Sequence, residues 1–334
     1  METRKLTIDD IAKELNISKT TVSRAISGKG RIGQETRERV LRYIRENNYK
    51  PSAIAKGLAQ SKTFNLAFVM PGDYSSAELP FFQKCMWGIC AKASQMNYDV
   101  IITMVEEGDL SQMIRLIEHH KIDGAILSRT MERDEPASYL MANDIPFVTV
   151  GLSDENQIVQ IDNDHFGACK ELISILLHKG MHKMALIGGS AGVIVNQKRL
   201  LGFREAHMQA GIPLDTSLLY MDVESEKRVE NIVDEILAKK AECIICMDDS
   251  LCSYVLNKLN KNRIRIPEDI KVASFYNSSF LEHHQPAVTA LKFDVQELGM
   301  VCCSTLIDYI DKKEIKQVTL LGYEVLMKES TQNN

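Results

Sequence analysis

The chain has 334 residues, 45% of them hydrophobic, and a formal net charge of −5. This length allows two or three domains with their own cores. No run of eighteen apolar residues is present, and the charged start "METRKLTIDD" precedes no apolar signal region. We therefore expect neither a membrane span nor secretion, and we expect a cytoplasmic protein.

The charge is unevenly distributed along the chain. Residues 1–62 carry fourteen Lys and Arg against seven Asp and Glu, a net charge of +7, and the remainder carries −12. A small basic module therefore precedes a large acidic body. Local positive charge attracts a polyanion, while the acidic body limits non-specific binding.

The first sixty residues predict three helices. "LTIDDIAKEL" is typical of an amphipathic helix capped by Thr7, and "NIS" is a tight turn in which Ser18 caps the next helix, "KTTVSRAIS". A third helix is predicted from Gln34 to Asn47. Two helices joined by a short turn and supported by a third form the arrangement in which the second helix enters the DNA major groove.

The outward face of the second predicted helix is polar, with Lys19, Thr20, Ser23 and Arg24. The first residues of such a helix reach base edges, whereas hydroxyls and helix N-termini hold phosphates. We therefore predict that Lys19, Thr20 and Arg24 read bases. The alternative is a solvated three-helix bundle.

Residues 7–63 resemble the DNA-binding head and hinge of the lactose/galactose repressor (LacI/GalR) family, with "TVSR", "ETRERV" and "NYKPSAIAKGL" in the same order and spacing. The resemblance implies a head over 1–50 and a hinge helix over 51–62 that folds on DNA. Leu58 holds the position of a wedge that kinks the minor groove; the alternative is an ordinary apolar linker residue. The resemblance implies the same base readers and assigns phosphate contacts to Thr7, Ser18, Thr21, Ser23 and Arg31.

From Phe64 onward, short apolar runs alternate with amphipathic segments of helix length. This alternation predicts an α/β fold with parallel sheets covered by helices, and about 270 residues are too many for one such unit, so we expect two lobes. Ligands of such sheets bind beyond the carboxyl ends of the strands, which places the predicted site in the cleft between the lobes.

The same part of the chain resembles the periplasmic-binding-protein-like core of that family, through "ELPFF", "HKGMHKMALIGG", "RLLGFREA", "IPEDIKVASF" and "LGMVCCSTLIDYI". The resemblance implies three crossings between lobes, near residues 162, 291 and 323. The core over 63–334 would then divide into lobe 1, residues 63–162 and 292–323, and lobe 2, residues 163–291 and 324–334.

Candidate effector residues lie at the ends of predicted strands. Arg199 occupies a family effector position, and its alternative is a surface ion pair with Glu205. Asp248 and Asp249 follow a buried strand, where they can accept hydroxyls or cap the next helix. The other candidates are Phe82, which can stack on a sugar or simply pack within its lobe, and Ser128 and Arg129, which end another strand at the same edge.

The segment from Ser274 to Asn277 departs from the family pattern. Many sugar-responsive members have Gly-Phe-Asp-Asp there, and the first Asp of that pattern binds hydroxyls. In this chain Tyr276 occupies the position of that Asp, and Asn277 occupies the position of the second Asp. Tyr276 can stack on a pyranose ring. The maltose-operon repressors of Gram-positive bacteria are closer, with Ser-Phe-Asn-Asn, so we expect a maltose- or maltodextrin-like effector. A purine or a sugar phosphate is the alternative.

Other classes of protein fit poorly. The sequence contains no phosphate-binding loop, no dinucleotide fingerprint and no nucleophile elbow, and Cys243 and Cys246 lie in a predicted buried strand. A transport module would need a signal peptide and no DNA-binding head. We therefore expect a homodimeric repressor of carbohydrate-utilisation genes on a pseudo-palindromic operator, with no catalysis, cofactor, metal or membrane. The effector and the operator then influence each other's binding by the same factor, whether the effector is an inducer or a corepressor.

Overall fold

The computed structural model describes residues 6–27, 30–47, 49, 57, 60, 62–73, 79–153, 155–223 and 225–332. The chain forms two compact units, which meet in sequence between Thr63 and Phe64. Over the described ranges, no helix is both long enough and apolar enough to cross a membrane.

The first unit contains three helices, α1 Ile8–Glu14, α2 Lys19–Ser27 and α3 Gln34–Glu46. At the start of α1, the Asp10 amide donates to Thr7 Oγ1 and the Thr7 amide donates to Asp10 Oδ2, which makes a reciprocal capping box. Asn16 turns the chain with a φ of +49°, the left-handed conformation that Asn tolerates. The buried core of the unit consists of Ile11, Ala12, Val22, Ala25 and Val40.

The second unit contains two six-stranded sheets, and we call these sheets with their helices lobe 1 and lobe 2. Its first part is β1 Asn65–Pro71, α4 Leu79–Gln95, β2 Asp99–Val105, α5 Ser111–Glu118, β3 Gly124–Leu127, α6 Glu135–Ala142, β4 Phe147–Val150 and β5 Val159–Asn163. Its middle part is α7 His165–His178, β6 Met184–Ile187, α8 Ile194–Ala210, β7 Leu219–Tyr220, α9 Glu226–Ala238, β8 Cys243–Cys246, α10 Asp249–Lys261, β9 Lys271–Ser274, α11 Ser279–His283 and β10 Thr289–Lys292. Its last part is α12 Val295–Ile310, β11 Val318–Leu321 and β12 Glu324–Leu326, with single 3₁₀ turns at Thr216–Leu218 and Glu329–Thr331.

The strand order confirms the predicted α/β class. The lobe 1 sheet has the order β11-β5-β4-β3-β1-β2 with parallel neighbours throughout, and the lobe 2 sheet has the order β12-β10-β9-β8-β6-β7 with only the β10–β12 pair antiparallel. The chain passes between the sheets after Asn163, after Lys292 and between Leu321 and Glu324. The carboxyl ends of the central strands therefore bring residues from distant parts of the sequence to one edge of each sheet.

The central strands are apolar because helices cover both faces of each sheet. Every residue of β3, β6 and β8 is buried, as expected for parallel strands. Cys243 and Cys246 belong to β8, and burial raises the pKa of the Cys243 thiol, so it stays protonated. These two cysteines are thus part of the apolar core.

Helices α4 and α12 pack closely through glycine. A Cβ built on Gly299 would overlap the carbonyl oxygen of Cys85, and one built on Gly88 would overlap that of Gln296. The absence of side chains at these two positions lets the helix backbones touch. The contact fixes α12, which follows the second crossing between the lobes, against lobe 1.

Candidate ligand cleft and nucleic-acid interface

The outward face of α2 carries the side chains predicted to read bases. Lys19, Thr20, Ser23 and Arg24 are all exposed. Lys19 Nζ lies 2.5 Å from Asp9 Oδ1, but both side chains are largely solvated, and such surface pairs contribute little. Arg24 lies over Gly30, whose φ is +89°; a Cβ there would come within 3.2 Å of Arg24 Cδ. The glycine therefore leaves room for the arginine.

The residues predicted to contact phosphates fall into three groups. Thr7 and Ser18 cap helices: Thr7 Oγ1 donates to Asp10 Oδ2 at 2.6 Å, and Ser18 Oγ accepts from the Thr21 amide at 3.1 Å. Both side chains already form hydrogen bonds within the protein. We therefore expect the main-chain amides at the N-terminus of each capped helix, rather than these hydroxyls, to face a phosphate. Thr21 is half-buried, whereas Ser23 and Arg31 are exposed and open to a phosphate. Leu58, the predicted wedge, lies outside the described residues.

The predicted cleft residues lie where strands of both sheets end. Ser128 and Arg129 follow β3, Asp248 and Asp249 follow β8, and Tyr276 and Asn277 follow β9 closely, while Arg199 projects from α8. Asn163, which was not predicted, ends β5. Buried polar atoms without a hydrogen-bond partner within the described part of the chain are concentrated here, among them Ser128 Oγ, Asn163 Oδ1, Arg199 Nε and Asn277 Oδ1.

Arg199 lies at the centre of the charged groups in the cleft. Only 8% of the residue is exposed, and its guanidinium interacts electrostatically with Asp249, Tyr276 and His165. It does not pair with Glu205, which instead accepts a hydrogen bond from Gln209. The surface ion pair considered from the sequence is therefore wrong, because α8 turns Arg199 towards the interior.

Burial shifts the titration of the groups around Arg199. It raises the pKa of Asp249, opposed by the Ser278 hydroxyl and by Arg199. It also raises the pKa of the Tyr276 hydroxyl, which stays protonated and able to donate. Burial lowers the pKa of His165, whose ring packs on Phe293 with centroids 4.6 Å apart, so this imidazole is neutral.

Three predicted cleft residues have other partners. Asp248 Oδ1 accepts the Leu251 amide at 2.8 Å, so Asp248, not Asp249, caps α10. Arg129 Nη2 donates to Asp73 Oδ1 at 2.8 Å. Phe82 is buried in the core of the unit, which is the packing alternative. These residues therefore shape the edge of the cleft.

The aromatic ring that faces Tyr276 is Phe81. Their centroids are 6.3 Å apart in an edge-on arrangement, with Phe81 from lobe 1 and Tyr276 from lobe 2. The Asn277 side chain is oriented by its amide, which donates to Glu282 Oε1 at 2.7 Å and leaves the carbonyl oxygen unbonded by any described residue. Asn277 thus presents an acceptor directly after Tyr276 in the chain.

Asn163, Asn196 and His165 are cleft residues that the sequence interpretation missed. Asn163 carried a signal, because it follows an apolar run in the same way as Asp248 does. Asn196 and His165 carried none, since each lies at the first turn of a helix. Among the described residues, no cluster of three or more potential metal ligands occurs.

Comparison with known proteins finds one matching family model in each of the two units. Residues 7–52 match the family described as bacterial regulatory proteins, lacI family, and residues 173–331 match the periplasmic binding protein-like domain. Together these matches cover more than half of the chain.

Relatives extend the similarity over the whole length. The HTH-type transcriptional regulator pepR1 of Lactobacillus delbrueckii subsp. lactis is 27% identical, covering 100% of both chains. The regulator MalR of Streptococcus pneumoniae serotype 4 is 28% identical, covering 97% of this chain and 99% of the relative. The lac repressor dimer bound to operator has the same fold, with a TM-score of 0.78, 19% identity, and coverage of 99% and 100%. The chain combines a DNA-binding region of the lacI family of bacterial regulatory proteins with a periplasmic binding protein-like domain, and it is a DNA-binding transcriptional regulator rather than an enzyme.

Proposed function

We propose that this regulator is a homodimeric repressor that binds a neutral oligosaccharide of the maltodextrin type in the cleft between its lobes, and that this binding weakens its hold on operator DNA. The observation that carries the proposal is the concentration of buried polar atoms without a partner in the described chain, among them Ser128 Oγ, Asn163 Oδ1, Arg199 Nε and Asn277 Oδ1. Buried polar atoms are nearly always paired, so their concentration in the cleft favours a ligand rich in hydroxyls.

The charge of the cleft favours a neutral effector. Arg199 is balanced by Asp249, and Arg129 is already paired with Asp73. A phosphate would bring a charge of about −1.5 to −2 and would need further cations. A sugar instead offers vicinal hydroxyls to Asp249 and an apolar ring face to Tyr276.

The choice of a maltodextrin rests on the sequence around Tyr276. The segment from Ser274 to Asn277 is similar to the Ser-Phe-Asn-Asn of maltose-operon repressors, as described above. A purine or a sugar phosphate is the competing effector. A direct binding measurement distinguishes these ligands from a maltodextrin.

For the DNA-binding unit, we propose that α2 of each protomer enters one major-groove half-site of a pseudo-palindromic operator. Its exposed Lys19, Thr20 and Arg24 support this, together with the capped N-termini of α1 and α2. We also retain the division into a head over 1–50, a hinge over 51–62 with Leu58 as the wedge, and a core over 63–334. The separation of two compact units at Thr63 supports that division.

The proposed dimer forms through the second unit. Trp87 on α4 and Ile102 on β2 are each 53% exposed, and Phe280 on α11 is 49% exposed. Exposed large apolar residues of this kind are suited to a protein interface. Sedimentation equilibrium of Trp87→Ser is expected to show weaker self-association than the parent chain.

Isothermal titration calorimetry of the full-length chain tests the effector. Maltotriose should bind, glucose 6-phosphate and guanine should not, and Arg199→Ala should weaken the sugar by about 10- to 150-fold, because hydrogen bonds to a charged group contribute about 1.5–3 kcal/mol. Binding of the phosphate or the purine alone would replace the proposed effector and keep the regulator. A fluorescence titration of operator DNA with and without maltotriose then gives the sign of the coupling.

A further inference from the structure

The two lobes are joined by main-chain hydrogen bonds on one side of the cleft. The Glu132 amide of lobe 1 donates to the Gly192 carbonyl of lobe 2 at 3.0 Å, and the Ile194 amide donates back to the Thr130 carbonyl at 3.2 Å. We call this pairing of residues 130–132 with 192–194 the inter-lobe strap. It forms an antiparallel bridge centred on Met131 and Val193.

The lobe 1 side of the strap is held firmly. Asp134, which caps α6, accepts the Met131 amide at 3.2 Å and the Ala137 amide at 2.9 Å. Thr130 is buried against Gly151, whose φ is +119°. This half of the strap is therefore part of the rigid frame of lobe 1.

The lobe 2 side of the strap is held by side chains of its own. Asp222 Oδ1 accepts the Ala191 amide at 2.8 Å. Two side-chain amides of α8 donate to the same loop: Asn196 Nδ2 to the Ser190 carbonyl and Gln197 Nε2 to the Ala191 carbonyl, both at 2.9 Å. These two bonds are matched in type and in sequence separation, which makes Gln197 a natural control for Asn196.

Only Asn196 also reaches the effector site. Its Oδ1 lies 3.5 Å from Arg199 Nη1, at the outer limit of a hydrogen bond, and the residue is 8% exposed. Arg199 Nε has no described partner. The guanidinium is therefore held only weakly on the side of Asn196.

We propose that Asn196 is a positioning residue that couples the state of Arg199 to the inter-lobe strap. The carboxamide of Asn196 is one planar group, so a change at its oxygen, caused by Arg199, reorients the nitrogen that holds Ser190. An effector that draws Arg199 away thereby alters the loop that bonds to lobe 1. This inference rests on the proposed effector role of Arg199.

The coupling is measured in the full-length chain without any ligand, by hydrogen exchange at the amides of Glu132 and Ile194. Asn196→Ala should speed exchange at both amides by about two- to tenfold, the effect of losing one ordinary hydrogen bond. Arg199→Ala should speed exchange at the same two amides by a smaller factor, because it removes only the 3.5 Å contact to Asn196. The double variant should exchange no faster than Asn196→Ala alone, because both substitutions act through one contact.

Gln197→Ala supplies the matched control. It removes an equivalent bond to the same loop without touching Arg199. In the Gln197→Ala background, Arg199→Ala should keep its full effect on the two strap amides. Arg199→Lys, which retains a charge beside Asp249, should show the same non-additivity with Asn196→Ala if Arg199→Ala folds poorly.

Ile194→Pro calibrates the readout. Ile194 is the first residue of α8, where proline is tolerated, and Val193 before it is extended with φ −87° and ψ 119°. The substitution removes one donor of the strap, and Ile194→Ala controls for the lost side chain. Exchange at Glu132 should be faster in Ile194→Pro than in Ile194→Ala.

Additive effects of Arg199→Ala and Asn196→Ala, or no effect of Arg199→Ala on the strap amides, would overturn the proposal. Exchange at Ile244 and Ile245 of β8 serves as the internal reference for intact folding. Because the experiment contains no sugar, failure of maltotriose to bind in calorimetry removes the proposed effector alone and leaves the coupling to be decided by exchange.

Discussion

Replacing Ser128 by alanine should make the protein more stable and a poorer sensor. Ser128 is 3% exposed, and its hydroxyl has no hydrogen-bond partner among the residues that the structure describes. Its amide donates to the Val69 carbonyl and is unaffected by the substitution. Ser128→Ala therefore removes one buried polar atom and changes almost nothing else.

Two free energies follow from this geometry. An unpaired buried hydroxyl costs about 1–3 kcal/mol, so Ser128→Ala should raise the free energy of unfolding by about 1 kcal/mol and the Tm by about 2–4 °C. A neutral hydrogen bond to the effector contributes about 0.5–1.5 kcal/mol, so effector affinity should fall by about two- to twelvefold. Ser128→Ala should therefore increase stability and decrease effector affinity.

Ser330→Ala is the matched control, because Ser330 is a buried serine with both bonds made. Its Oγ donates to the Val272 carbonyl at 2.6 Å and accepts the Thr289 amide at 2.8 Å. Removing it leaves at least one buried main-chain group unpaired, so stability should fall by about 1–3 kcal/mol while effector affinity stays within twofold of the parent.

Differential scanning calorimetry of the full-length chain and titration with maltotriose provide the two measurements. A lower Tm in Ser128→Ala, with unchanged affinity for every ligand that binds the parent, would refute the reasoning. That result would mean that the Ser128 hydroxyl is satisfied within the protein and does not face the effector.

Three further predictions concern packing, titration and DNA. Gly299→Ala should lower stability by about 1–3 kcal/mol in calorimetry, because its Cβ overlaps α4; Gly322→Ala, with no described atom within 4 Å of its Cβ, should be neutral. Effector affinity should fall as pH decreases through the raised pKa of Asp249, since a protonated carboxyl is a poorer acceptor, and in Asp249→Asn calorimetry should show this pH dependence lost. In operator titrations, Arg24→Ala should cost about 1–3 kcal/mol and relax specificity at one base pair, whereas Arg31→Ala should weaken all sequences equally and reduce the salt dependence.

The DNA-binding unit was predictable because its signals are local. Thr7 caps α1, Asn16 adopts the left-handed turn and Ser18 bonds the amide of Thr21, all within fifteen residues. Each of these features depends on neighbours only a few positions away, so propensity and spacing suffice. The α/β class was predictable for a related reason, since burial in a parallel sheet requires continuous apolar runs such as those of β6 and β8.

The cleft was harder to predict because two adjacent residues of the same type could each fill the same role. Phe81 and Phe82 differ by about 100° around α4, and only the packing of that helix decides which ring faces Tyr276. The same holds for Asp248 and Asp249, where the first residue of α10 decides which carboxylate becomes the cap.

The inter-lobe strap could not be predicted at all. It consists of main-chain groups of Glu132, Gly192 and their neighbours, and every residue except proline carries the same main-chain donor and acceptor. The pairing depends on how two sheets meet, with about sixty residues between its halves. Sequence patterns record side chains, and this contact uses none.

The same groups that equip the cleft for binding also lower the stability of the free protein, which makes the site detectable without knowing its ligand. For Asp249, burial raises the folded pKa above that of the unfolded chain, so its favourable contribution is complete below the unfolded pKa and is lost as pH rises through the folded pKa. At neutral pH, Asp249→Asn should therefore stabilise the protein and weaken the binding of the effector, as predicted for Ser128→Ala. Residues that act through folding, such as Ser330, should lower stability when replaced and leave the affinity of the folded protein unchanged. A substitution that raises Tm and reduces ligand response thus identifies a cleft residue, whatever the ligand is.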